Sequence, residues 1–156
     1  GVPQTVELRL AAALGQTAYA LPQGVAVPLQ QQEGRQIARV ELPAGGGRVL
    51  VLLPEPIERL TLSLDGGTEP PRGSLVRLRA ELSGPGGRAV PGVIPLRLTV
   101  TNPDGQASDF SRYGAFTEGS WNADLPIELN APPGTYRAEV TDLAAGRTQH
   151  VEWTVR

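Results

Sequence analysis

The 156-residue chain holds one histidine, His150, and no cysteine, so its chemistry is left to carboxylates, hydroxyls, aromatics and arginines. Disulfides, thiolate metal sites and cysteine nucleophiles are thereby excluded. A Ser/His/Asp set needs its histidine beside a serine held on a sharp turn, and no G-x-S-x-G elbow occurs. His150 stands before Val151 in the alternating run "QHVEWTV", which puts its ring on the outward face of a strand. Transition metals require several His or Cys side chains converging, so no metal and no cofactor is expected. Calcium takes oxygen ligands alone, and Asp104, Asp109 and Glu118 are the acids that one end of a fold could gather. Asp104 lies in "NPDG" and has a simpler use, as a turn residue bonding its own backbone. Glycoside hydrolysis needs two carboxylates across a cleft, one of them kept protonated, and nothing in the pattern sets up such a pair. No enzymatic activity is expected.

Sugar recognition asks for an exposed aromatic platform flanked by polar groups. The irregular stretch "QASDFSRYGAFTEG" supplies one candidate set: Tyr113 and Phe116, with Asp109 and Glu118 beside them and Arg112 nearby. The competing use of these aromatics is to plug the open end of a β-sandwich. Trp121 and Trp153 fall on apolar faces and read as core. Arg77, Arg79 and Arg97 could form a basic stripe, which Glu81, Glu128 or Glu139 could neutralise; a solvated charged face is the plainer reading. The formal net charge of -2 leaves no basic footprint for nucleic acid. No apolar run approaches the ~18 residues of a membrane span, so no membrane insertion is expected.

The elements that would position these residues alternate with period two almost everywhere. In the first third, Val6, Leu8 and Leu10 share a face, as do Ala38, Val40 and Leu42. "LRLAAALGQ" is the best helical stretch, but it is short, carries Gly15 and joins directly to an alternating pattern. "RVLVLLP" reads as a strand buried on both faces. Pro54 and Pro56 in "PEPIE" oppose both helix and interior strand, placing a boundary near Glu55. Beyond it, alternation assigns an inward set of Val76, Leu78, Leu96, Leu98, Trp121, Leu125, Ile127, Val140 and Trp153, with Leu129 continuing the Trp121 series. Tyr136 follows a Pro-Pro-Gly-Thr turn and opens a strand, a setting for a hydroxyl-to-backbone bond at a sandwich corner. Aromatics are only 4% of the chain, so branched aliphatics must fill the core. Short strands separated by Gly/Pro turns imply an all-β fold: an Ig-like antiparallel β-sandwich over residues 56–156, preceded by a smaller β unit over 1–55.

Three segments carry a resemblance: "RGSLVRLRAEL", "VPGVIPLRLTVTNPDGQ" and "LPIELNAPPGTYRAEVTDLAAGRT". Their "PDG" turn and the "GTY" opening a late strand are similar to macroglobulin-type and related Ig-like accessory domains of large secreted bacterial proteins, glycoside hydrolases among them. The resemblance covers roughly residues 57–156 well and 1–54 loosely. It carries no catalytic residues with it, and no thioester cysteine motif is present. It implies a non-catalytic structural or interaction module, extracellular or periplasmic, whose partners are the neighbouring domains of a longer chain. A polysaccharide-binding module and a macroglobulin-like or adhesin protein-contact domain are the alternatives. The start in mid-pattern at "VPQTVELRL" likewise reads as a piece of a longer protein.

Overall fold

The computed structural model describes residues 1–156, the side chain of Ala12 aside. The fold is all-β and antiparallel. Its first part holds β1 (Gln4–Ala11), β2 (Thr17–Leu21), β3 (Val25–Val27), β4 (Leu29–Gln32), β5 (Arg35–Leu42) and β6 (Val49–Leu53). They form two three-stranded sheets, ordered β1-β5-β4 and β3-β2-β6. The stretch "LRLAAALGQ", the best helical candidate, forms no α-helix: β1 runs on to Ala11, and only a 3-10 turn over Ala12–Leu14 follows.

The expectation that "RVLVLLP" is buried on both faces is corrected. As β6 it is an edge strand, paired with β2 alone, and Val49 is exposed while Leu50, Val51 and Leu52 are half-buried. A continuous apolar run does not distinguish a central strand from an edge strand that rests on neighbouring structure.

The second part holds β7 (Arg59–Asp65), β8 (Leu75–Ser83), β9 (Val93–Thr101), β10 (Arg112–Thr117), β11 (Ser120–Pro126), β12 (Gly134–Asp142) and β13 (Thr148–Val155). Hydrogen bonding orders them β13-β12-β9-β10-β11-β8-β7. β10 and β11 meet only at Thr117 opposite Ser120, so the ribbon folds over at that hairpin into two layers. The hairpin's central residues, Glu118 and Gly119, both have positive φ, which matches a two-residue turn to the right-handed strand twist. Gly119 is also required sterically, since a Cβ there would lie 2.7 Å from the Leu82 carbonyl oxygen. Facing rows of Val76, Leu78, Ala80 and Leu82 on β8 and Ile94, Leu96, Leu98 and Val100 on β9 are all buried in one cluster. Each valine, leucine or isoleucine among them contributes about 1.5–3 kcal/mol by leaving water, and Ala80 less.

The inward set read from alternation is buried throughout, except that Trp121 is half-buried. Leu129 departs from its series and is 80% exposed. β11 ends at Pro126, pairing persists through Ile127, and the chain then turns at Glu128–Ala131, out of the sheet.

Candidate functional site

The four residues proposed from sequence as a sugar platform are dispersed. Phe116 points inward from β10 and is fully buried between the layers. Tyr113, on the same strand at an odd spacing, faces out and is 74% exposed. Glu118 sits in the β10–β11 turn, where its backbone N–H and its Oε1 both bond Gly92, each at 2.9 Å. It clasps one turn to another. Asp109 lies before β10, at the strand's other end. Asp104 bonds the Gln106 N–H at 2.9 Å, the turn use expected of it. Among the described residues, no three His, Asp or Glu side chains come together as a metal site.

The basic stripe also dissolves. Arg97 is on β9 and the other two are on β8, strands that do not neighbour each other. Arg77 pairs with Asp124 across the β8–β11 register at 2.9 Å, and Arg79 approaches Asp65 on β7 at 3.7 Å. Both are exposed pairs on a solvated sheet face, as the plainer reading held, although the acids are not those named from sequence. His150 is exposed on β13 opposite Glu139.

A concave site does exist, and Asp109 belongs to it. Where the two layers part, near the ends of β9 and β11 and the start of β12, they leave a cleft of ≈ 370 Å³. Phe110, Tyr136 and Trp153 give it aromatic walls, and Val100, Leu125 and Ile127 line it with them. Asp104, Asp109 and Glu128 stand on its rim, all exposed. Tyr136 and Trp153 face each other across the β12–β13 register and stack with centroids 5.6 Å apart and planes 8° from parallel. Trp153 is only 2% exposed, and its indole Nε1–H finds no acceptor among the described residues. A buried donor left unpaired costs about 1–3 kcal/mol.

Tyr136 has the corner geometry that its sequence setting implied. Its hydroxyl donates to the Pro132 carbonyl at 3.0 Å, tying the chain before β12 onto the strand itself. Tyr136→Phe is expected to lower stability by about 1 kcal/mol, the net worth of one such bond, read as a lower urea midpoint at unchanged slope. Unchanged stability would remove the bond from any structural role. Burial raises the phenol above its ordinary value; Arg72 opposes this, while Glu128 and Asp104 add to it. The resulting advantage of the folded state is present below the ordinary phenol range and is lost as pH rises through the raised value. The Phe variant should lack that alkaline loss.

A second polar centre was missed by the sequence reading. Asp142, at the end of β12, is a fully buried charged residue. Its Oδ1 accepts the N–H groups of Ala144 (3.0 Å) and Ala145 (2.6 Å), and its Oδ2 accepts that of Arg147 (2.9 Å). The signal was present in "DLAAG": an aspartate followed by Leu143, two alanines and a glycine fits a side-chain-capped turn.

No family model and no curated protein matches this chain. Solved structures similar to it include the β-glucosidase of Listeria innocua, at 15% identity and TM-score 0.45, over 73% of this chain and 17% of that one. Another is the CARDB domain of a Pyrococcus furiosus protein in complex with di-metal ions, at 14% identity and TM-score 0.41, over 63% of this chain and 88% of that one. A β-glucuronidase of Bacteroides uniformis is similar over 96% of this chain and 25% of its own, at 14% identity and TM-score 0.39. This chain therefore spans a quarter or less of the length of either glycosidase.

Proposed function

We propose that the chain is a non-catalytic structural module, an accessory β domain that holds neighbouring domains of a longer carbohydrate-active enzyme in fixed relation. The observation that carries this reading is the way the connection between the two parts is pinned. Between β6 and β7, Ile57 is buried, and its backbone is held from both sides. Its N–H donates to the Tyr19 hydroxyl on β2 at 3.0 Å, and its carbonyl accepts Nε and Nη2 of Arg147 at 3.1 and 2.9 Å. Tyr19 and Leu53 belong to the same buried cluster as the sandwich core. Gly24 meets the β12–β13 turn so closely that a Cβ there would lie 2.5 Å from the Gly146 nitrogen. Glu55 adds an exposed ion pair to Arg88. A connection fixed by hydrogen bonds, packing and two prolines cannot act as a free hinge. The carbohydrate-active parent, its bacterial origin and its export to the periplasm or the outside rest on the sequence resemblance.

The test is made in the parent protein and in the chain by itself. The chain should hydrolyse no glycoside, peptide or ester. Deleting the module from the parent should lower its melting temperature or solubility while the surviving folded molecules keep their turnover number. Turnover abolished with stability untouched would sink the reading, as would hydrolysis by the chain itself.

A further inference from the structure

One sheet edge in the first part of the chain is left open. β1 pairs with β5 alone, in consecutive registered pairs from Gln4 opposite Leu42 to Ala11 opposite Arg35. Alternate residues of β1 therefore turn their backbone N–H and C=O groups away from β5, with no strand among the described residues beside them. The other edges are guarded. β3 and β4 are three and four residues long and flank Pro28, and β6 runs into Pro54. β7 and β13 contact each other, and the Thr154 N–H bonds the Thr68 carbonyl beside them at 2.8 Å. β1, "QTVELRLA", has eight residues with no proline, glycine or bulge. Its inward row is also incompletely covered. Val6 and Leu8 are half-buried, whereas Val40 and Ala38, opposite them on β5, are buried; Leu10 is half-buried too. On the outer face Glu7 and Arg9 are exposed, and Glu7 reaches Arg9 at 3.4 Å and Arg39 of β5 at 3.8 Å.

We propose that the occupant of this edge is a second copy of the chain, joined β1 to β1 across a twofold axis at Leu8. The two three-stranded sheets ordered β1-β5-β4 then become one continuous sheet. The strand's own sequence selects both partner and register. Paired antiparallel about Leu8, it sets Glu7 against Arg9 of the second copy, and Arg9 against that copy's Glu7. On the inward face Val6 meets Leu10, Leu8 meets Leu8, and Leu10 meets Val6, so the half-buried row is covered along its length. Moving the axis to Glu7 or to Arg9 opposes like charges. A slip by one residue puts the two apolar rows on opposite faces. Exposed ion pairs add little affinity, and their part here is to reject the wrong registers and partners. Affinity comes from the paired backbone and the covered aliphatic rows. A foreign strand of a single charge sign would match one of Glu7 and Arg9 and oppose the other. This goes beyond the structural role proposed above and does not depend on it.

Sedimentation equilibrium of the full chain should show a reversible monomer–dimer equilibrium with a micromolar Kd. Glu7→Arg and Arg9→Glu, each alone, oppose like charges twice across the axis and should weaken dimerisation about tenfold. An equimolar mixture of these two variants opposes unlike charges again and should recover a heterodimer. The doubly exchanged chain should recover the homodimer. Both positions are exposed, so the circular dichroism of the variants should match that of the parent. The chain has no cysteine, so an introduced one is its only thiol. Leu8→Cys lies on the axis, where opposed Cα atoms are about 4.5–5.5 Å apart and within disulfide range, and should cross-link on mild oxidation. Val6→Cys faces Leu10 of the second copy, its own mate lying about 14 Å away, and should not cross-link. A chain that stays monomeric at millimolar concentration overturns the proposal. So does a dimer insensitive to both charge exchanges, a mixture that associates no better than either variant alone, or Val6→Cys cross-linking as readily as Leu8→Cys. Loss of stability on deleting the module from its parent bears only on the structural role, so the two readings fail separately.

Discussion

Trp153→Ala is expected to destabilise the protein by about 3–5 kcal/mol, the range for truncating a large buried aromatic. The side chain is 2% exposed and stacks on Tyr136 at 5.6 Å, so the variant loses both the buried ring and the aromatic pair. The ring pair alone accounts for about 0.5–1.5 kcal/mol of that. Trp153 also walls the end cleft, so the space it vacates joins an opening that water can enter. That relief, and the loss of an unpaired N–H, place the expected value toward the lower end of the range. Against a total stability of about 5–15 kcal/mol this is a large fraction, and it corresponds to a melting temperature lowered by about 10 °C. Urea unfolding followed by circular dichroism checks it. A Trp153→Ala protein as stable as the parent would show that β13 does not pack as described.

Asp142→Ala is expected to cost a comparable amount by a different route. Here no large volume is lost. Three backbone N–H groups, of Ala144, Ala145 and Arg147, lose their acceptor together, and the first of them is buried. Each orphaned donor costs about 1–3 kcal/mol, less where water can reach it, so a total of about 3–5 kcal/mol is expected. The consequence spreads beyond the turn. Arg147 is positioned by this turn, and its guanidinium grips the Ile57 carbonyl that joins the two parts of the chain. Asp142→Asn should recover part of the loss, since its amide oxygen can still accept from Ala144 and Ala145 while its NH₂ faces the Arg147 N–H. The order of denaturation midpoints should therefore be Asp, then Asn, then Ala. An Ala variant no weaker than Asn would mean that the carboxylate is not what organises the turn.

How much of this was legible in the chain depends on how local each signal is. The faces of β8, β9, β12 and β13 follow from alternation alone, because a strand's side-chain period is two and both layers bury only one face. Tyr136 was readable for a related reason: the Pro-Pro-Gly-Thr turn fixes where its strand begins, and its acceptor, Pro132, is only four residues away. β10 was not readable as a strand. Its inward side offers Gly114 and Phe116 but places exposed Arg112 in phase with them, so the pattern is too weak to stand without β9 beside it. The pattern alone therefore leaves Phe116 in an irregular stretch, and register against β9 makes it core. The edge position of β6 and the exposure of Leu129 depended likewise on neighbours that no run of residues declares.

The residues by themselves determined an all-β, cysteine-free chain and the identity of its buried faces, because period and turn chemistry act within a few positions. Only the tertiary structure decided which acids pair with which arginines, that Ile57 is held from both sides, and that a cleft opens where the layers part. Its walls come from β9, β11, β12, β13 and the loop before β10, segments distant in sequence. Their convergence is set by how two twisted sheets diverge at an open end.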